Sequence, residues 1–347
     1  MRGTRHRVRQ LMMVPEHLRR QFRYPARCLT APRVIAIKPC TMRARAGAPA
    51  PYLFPESETM SEGAFKIGVL KLGCIGAAPL LDLLLDERAD REDLEVKTWT
   101  CGAKLDPQSC AEPTAALLAW RPQLALLVSP NAALPGPNNT RKALAAAGIA
   151  FITLSDGPSK KAFFKKNEEG RQVVNIPAGQ GFMIFPADSM IGARREFLDP
   201  TEMSLFNADV IRVLAATGAL RLIQTQIQAV VEALKAGETP VFPTLSVSPE
   251  IAVAAGGFGN PYAAAKAYAA LVIAEGVSAV TADGCFKEQN PARYLPMVAA
   301  GHEMMRAAAR LADEARELEK SADCVLRTPH ATNGALLHKT RLAAKPV

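Results

Sequence analysis

A chain of 347 residues that is 49% apolar holds enough material for one large or two modest domains with a sizeable core. The formal net charge of +9 points to a polyanion until it is located: residues 1–60 hold twelve Lys/Arg against three Asp/Glu, which leaves thirty of each sign in residues 61–347. A neutral body lacks the basic face that phosphate tracking requires, so no nucleic-acid partner is expected.

Seven cysteines (Cys28, Cys40, Cys74, Cys101, Cys110, Cys285, Cys324) form no C-x-x-C pair. Their odd number fits the reduced thiols of a cytoplasmic enzyme rather than a disulfide framework. No uncharged apolar run reaches 18 residues, so no membrane span is expected.

Residues 1–60 are rich in Arg and Pro, poor in acids and without periodic apolar spacing, which predicts a disordered basic extension. Two origins fit it, an Arg-rich targeting peptide or translated sequence upstream of a start at Met60. On the second, a chain beginning at Met60 keeps its stability and activity.

From there the elements follow in order. IGVLKLG (67–73) is a compact apolar run ending at glycine, followed by a helix over 77–85 that the charged LDERADRED closes. Val96 to Thr100 is a β-branched and aromatic run, and a helix is predicted over 108–120. LALLVSP (124–130) ends at the loop NAALPGPNN, a helix spans 140–147, and IAFITLSDGP (149–158) repeats the scheme. This alternation implies right-handed crossovers and a Rossmann-like parallel sheet with helices on both faces, over 61–198. Its ligands should sit at the carboxyl ends of the strands, at Gly73-Cys74-Ile75-Gly76, Cys101–Lys104, Ser129-Pro130-Asn131 and Ser155–Gly157.

Residues 199–347 read as mainly α-helical, completing the cleft and an oligomer interface. Three helices open on the same signal, an Asx cap before proline: Asp199-Pro200, Asn260-Pro261 and Asn290-Pro291. The first is predicted to run to about residue 235 with a bend at Gly218, the second to stop near Gly276, and the third to reach about residue 320.

A dinucleotide loop needs three glycines and an acid about twenty residues on for the ribose. Here Lys71 stands at the first glycine position and the second strand ends in Thr100-Cys101, so the nicotinamide signal fails twice. Gly73 and Gly76 then admit a flat ligand close to the backbone, or simply pack helix on strand. On the first reading Gly73→Val harms ligand affinity far more than stability.

FPADSMIGARREFLDP (185–200) is the densest polar stretch. Its paired Arg194 and Arg195 suit a bidentate grip on a carboxylate or phosphate, or bridge acidic neighbours. His302, Glu303 and Arg306 form a patch on the last helix. No His or Cys spacing fits a metal, and no nucleophile elbow or phosphate loop is present.

The order of segments is specific. LDERADRED (85–93), GAKLDP (102–107), PNAALPGP (130–137), MIGARREFLDPTEM (190–203), FNADVIRVLAATGALR (206–221), NPYAAAKA (260–267), HEMMR (302–306) and RTPHA (327–331), with DGCF and DEARELEK, make the chain resemble the coenzyme F420-dependent methylenetetrahydromethanopterin dehydrogenases over about 280 residues. The resemblance implies an oxidoreductase of one-carbon metabolism. A hydride would pass from the methylene carbon of the pterin to C5 of the deazaflavin F420, reversibly, with no general base, no catalytic side chain and no metal.

It also implies roles. Gly73, Cys74, Ile75, Gly76, Ser129, Pro130 and Asn131 would hold F420; Asp156, Asp188, Arg194, Arg195 and Glu202 would hold the tetrahydromethanopterin-type carrier, with Lys104, Lys160 and Lys161 as further candidates for the acidic tails. The assembly would be a homo-hexamer built as a trimer of dimers, with the Ala-rich helix 260–275 at an interface. The segment between Lys166 and Phe185 is longer than the family pattern implies, and SDGPSKK replaces its usual form. Two other readings therefore stand beside the first: the same pterin reaction linked to NADP, and a non-catalytic pterin-binding homologue.

Overall fold

The computed structural model describes residues 63–86, 91–190 and 194–347. The expectation for residues 1–60 lies outside them. The first half builds β1 (Phe65–Lys71), α1 (Ala77–Leu85), β2 (Leu94–Thr100), α2 (Pro107–Trp120), β3 (Leu124–Ser129), α3 (Pro135–Ala146), β4 (Ala150–Ser155), the single-turn α4 (Lys160–Phe163), β5 (Phe164–Lys166), β6 (Gln172–Val174) and β7 (Gln180–Ile184).

β1 to β4, β7 and a later strand β8 (Thr244–Ser246) form one six-stranded parallel sheet in the order β2-β1-β3-β4-β7-β8. Every residue of β3 and β4 is buried, which is why both read as continuous apolar runs: helices cover both faces. β2 lies at the edge and carries Glu95 and Lys97, charges that discourage pairing with another chain. The Rossmann-like sheet and the helical second half are both as expected.

The differences have local reasons. α3 begins five residues earlier than predicted because Pro135 and Pro137 lie in its first turn, where a missing N–H loses nothing. The long segment after Lys166 folds back as the antiparallel pair β5–β6, closed by Asn167, whose Oδ1 accepts from Glu169 N (3.1 Å) and Arg171 N (2.8 Å).

Beyond residue 198 come α5 (Pro200–Ala216), α6 (Ala219–Lys235), β8, α7 (Pro249–Gly256), α8 (Pro261–Ala282) and α9 (Pro291–Ser321). Asp199 caps α5, its Oδ2 accepting from Thr201 N (3.0 Å) and Glu202 N (3.1 Å); Asn260 and Asn290 cap α8 and α9 in the same way. Gly218 breaks the predicted first helix into α5 and α6. Its φ is +101°, and a Cβ there would lie 2.0 Å from the Ala252 carbonyl oxygen.

α8 does not stop at Gly276 but continues to Ala282 and a π-helical turn over Asp283–Lys287. Along it Ala263, Ala267, Ala270, Ala274, Val277 and Thr281 are buried at alternating spacings of four and three, the seam that packs on α9. By length and composition the Pro261–Lys287 helix could cross a membrane. Here that alanine seam serves helix packing. One hydrophobic cluster joins Ile67, Leu126, Ile152 and Met183 of the sheet to Leu81, Val210, Ile223, Ala274 and Ala308 of the helices, across the boundary expected at 198/199.

Candidate active site

The strand order places β1 between β2 and β3, so successive connections leave β1 in opposite directions. In sheets of this order the ligand crevice is expected where they diverge, at the carboxyl ends of β1 and β3. The turn Gly73–Gly76 and the segment Ser129–Asn131 lie at these ends. Gly73 N–H donates to the Gly102 carbonyl (3.1 Å) and Leu72 N–H to that of Val128 (2.8 Å), which ties together the loops after β1, β2 and β3.

Gly73 has φ of +90°, and a Cβ on it would meet Pro130 Cδ at 2.8 Å and Leu105 Cδ2 at 2.9 Å. A Cβ on Gly76 would meet Val210 Cγ1 at 2.4 Å. Both glycines are thus required by close packing and, at Gly73, by backbone conformation. The expectation that valine at 73 would spare stability is reversed. In this turn Ile75 is buried and Cys74 is half-buried; across the crevice Asn131 is half-buried while Ser129 and Pro130 are buried.

The floor is held by hydroxyls. Ser155 Oγ donates to the Ser129 carbonyl and pairs with Ser159 Oγ, which accepts from Ala132 N (2.8 Å). Asn131 Oδ1 accepts from Ala133 N (3.1 Å). The ends of β3 and β4 are therefore locked to each other and to the turn before α4.

Two buried carboxyls follow β4 and β7. Asp188, in the loop after β7, is fully buried; its oxygens accept from Gly76 N (2.7 Å) and Ala77 N (2.8 Å) and so cap α1. Burial nonetheless pushes its pKa up to about 7. Asp156 is 3% exposed and accepts from Gly157 N. Burial, and then the Asp188 charge, raise it well above the usual carboxylate range. That shift favours its protonated form, the form able to donate a hydrogen bond.

Arg194, Arg195 and Glu202 lie on the segment that leads into and begins α5. The Arg194 guanidinium donates to the carbonyls of Gly284 (2.9 Å from Nε) and Glu288 and lies 4.0 Å over the Tyr294 ring. Tyr294 Oη in turn donates to Glu196 (2.8 Å). Arg195 is exposed beside them. Glu202 lies 3.8 Å from His302 Nδ1, whose ring packs on Phe197 and Phe206. These contacts hold the 194–202 segment to α9 and the turn before it.

One residue escaped the sequence reading. Arg141 on α3 is 7% exposed, lies 4.5 Å over Phe163, and keeps a buried Nε with no partner. Burial pulls its pKa down, and no acid among the described residues offsets it. The helix expected over 140–147 includes Arg141, but its burial against Phe163 is a tertiary contact with no local signal. Lys104, Lys160 and Lys161 are exposed at the ends of crevice loops.

The fold is a Rossmann-like α/β fold with a parallel six-stranded sheet, whose strand ends are the expected place for ligands. A family model for methylene-5,6,7,8-tetrahydromethanopterin dehydrogenase matches residues 65–347. An F420-dependent methylenetetrahydromethanopterin dehydrogenase of Archaeoglobus fulgidus is 54% identical over 281 residues, 81% of this chain and 98% of that one. Its counterpart from Methanothermobacter marburgensis is 47% identical over 281 residues, 81% of this chain and 99% of that one. The solved structure of an F420-dependent enzyme of this name, in complex with methylene-tetrahydromethanopterin and coenzyme F420, matches with a TM-score of 0.75 at 42% identity, covering 82% of this chain and 100% of that one. The chain belongs to the methylene-5,6,7,8-tetrahydromethanopterin dehydrogenase family.

Proposed function

We propose that this protein transfers a hydride reversibly from 5,10-methylenetetrahydromethanopterin to coenzyme F420, giving methenyl-tetrahydromethanopterin, in cytoplasmic one-carbon metabolism of the methanogenic type. The observation that carries the reading is 54% identity over 98% of the Archaeoglobus fulgidus enzyme, supported by the fold match to the complex with both ligands. When bound, the deazaflavin supplies the carbon, C5, that accepts the hydride.

The residues present fit such a pair. Gly73 and Gly76 bring bare backbone to the switch point, and Cys74 and Asn131 are the half-open side chains beside it. Asp156, whose protonated form burial favours, is suited to donating to a ring heteroatom. Arg141, with its unpartnered buried Nε, and exposed Lys104, Lys160, Lys161 and Arg195 suit acidic tails. Asp188, with both oxygens on backbone N–H groups, and Arg194, with Nε and one terminal nitrogen on backbone carbonyls, hold α1 and the 194–202 segment in place. Glu202 joins the pterin side of the site through the same segment.

Placement is then the chief contribution, worth up to roughly 7–11 kcal/mol when two reactants are held correctly. No base is required on the carbon. Deuterium on the pterin methylene carbon should appear at C5 of reduced F420 without loss to water; washout into solvent would show that a base intervenes. The NADP-linked reading is disfavoured by Lys71 at the glycine position and by Thr100-Cys101 at the end of β2.

The proposal extends to assembly. On α8 the face opposite the alanine seam leaves Tyr268 (39%) and Val272 (47%) exposed, an apolar strip suited to joining copies of the chain into a hexamer built as a trimer of dimers.

A further inference from the structure

A second concave site lies apart from the crevice, between α1, the α5–α6 break, the C-terminal part of α9 and the last residues of the chain. Its volume is about 620 Å³, and no crevice loop contributes to its wall. This is the size range of small-molecule sites. One side is apolar, with Leu80, Leu84, Ile211 and Phe258; the other gathers Arg221, Arg316 and Arg327.

The cations are fixed without being neutralised. Arg221 donates to Thr328 Oγ1 (2.7 Å) and the Leu326 carbonyl (2.6 Å), which leaves its Nε buried and without a partner. Arg327 donates to the carbonyls of Val325 (3.1 Å) and Thr340 (2.6 Å). Arg316 makes no hydrogen bond or ion pair with any described residue.

The one acid in the wall, Glu319, is already occupied. Its two oxygens accept from Asn260 N (2.7 Å) and Gly259 N (3.1 Å) at the start of α8. The first turn of the 17-residue α6 also faces the cavity through Gly218, Leu220 and Arg221, adding N–H groups without helical acceptors.

Burial and mutual repulsion both act on these guanidiniums. Burial first, then the Arg316 charge, pull Arg221 down to about 10; burial first, then Arg327, pull Arg316 down as well, against the partly offsetting charges of Glu319 and Glu317. Like charges gathered away from water are unfavourable unless an anion shares them.

We propose that this cavity binds a small amphipathic anion, with a phosphate or carboxylate head on Arg221, Arg316 and Arg327 and an apolar body against Leu80, Leu84, Ile211 and Phe258. The site is independent of the hydride-transfer reading. Because the Arg316 side chain makes no hydrogen bond or close ion pair among the described residues, Arg316→Gln removes affinity without removing a direct polar contact of the fold.

The test is calorimetric titration of the full chain and of Arg316→Gln with octyl phosphate, octanoate and inorganic phosphate, alongside melting curves of both proteins. The expected result is binding of octyl phosphate or octanoate, weakened about tenfold or more by Arg316→Gln, with inorganic phosphate clearly weaker than octyl phosphate and the variant melting no lower than the parent. Failure of both amphiphiles to bind, equal binding by the variant, or inorganic phosphate binding as tightly as octyl phosphate overturns it. A changed oligomeric mass of Arg316→Gln, read by light scattering, would make the cavity an interface between chains and likewise overturn it.

Discussion

At Asp188 two backbone N–H bonds favour the ionised carboxylate while complete burial opposes it, and burial prevails. A folded pKa of about 7 exceeds the unfolded value near 3.9. The contribution to stability is therefore full below about pH 4 and is lost as the pH rises through about 7. Asp188→Asn should flatten this part of the stability profile in denaturant unfolding. It should also lower stability by ~1–3 kcal/mol at pH 5, because its amide nitrogen meets a backbone N–H. An unchanged slope contradicts the assignment.

Gly73→Val is expected to lose ~1–3 kcal/mol or more in the same experiment, since both φ and Pro130 oppose a side chain; a fully stable variant contradicts this. The sequence located Gly73, Gly76 and Asp156 at strand ends because strand ends are legible. It could not reveal that Asp188 caps a helix 112 residues away, or that Arg141 is buried under Phe163, since both depend on tertiary contact.

Helix starts in the second half were legible because an Asx cap followed by proline is a local signal, and α5, α8 and α9 begin there. Helix stops were not. Gly276 is interior to α8, where a Cβ would meet Met304 Cε at 3.2 Å, so α9 rather than a turn accounts for the glycine. β8, with only three residues, carries no periodicity and forms only because β7 offers it an edge.

The α8–α9 crossing depends on small residues. A Cβ at Gly301 would come within 2.5 Å of Thr281 Cγ2. Gly301→Ala should therefore lower stability by about 1–3 kcal/mol, and adding Thr281→Ser, which removes that methyl, should restore most of it. Thermal melts of the single and double variants decide the point; no rescue would place the strain elsewhere.

For the whole molecule, the Rossmann-like half was legible in the alternation of apolar runs, whereas the shared core with the helical half emerges only from packing. The proposed assembly predicts that Val272→Lys, on the exposed strip of α8, lowers the mass measured by light scattering without lowering helix content; an unchanged mass removes α8 from the interface. The central claim concerns the acceptor. In an anaerobic cuvette containing oxidised F420, adding 5,10-methylenetetrahydromethanopterin and the protein should bleach the deazaflavin absorbance, while NADP in its place should yield no reduced nicotinamide. Unbleached F420 alongside reduction of NADP, or no transfer to either, would contradict the account.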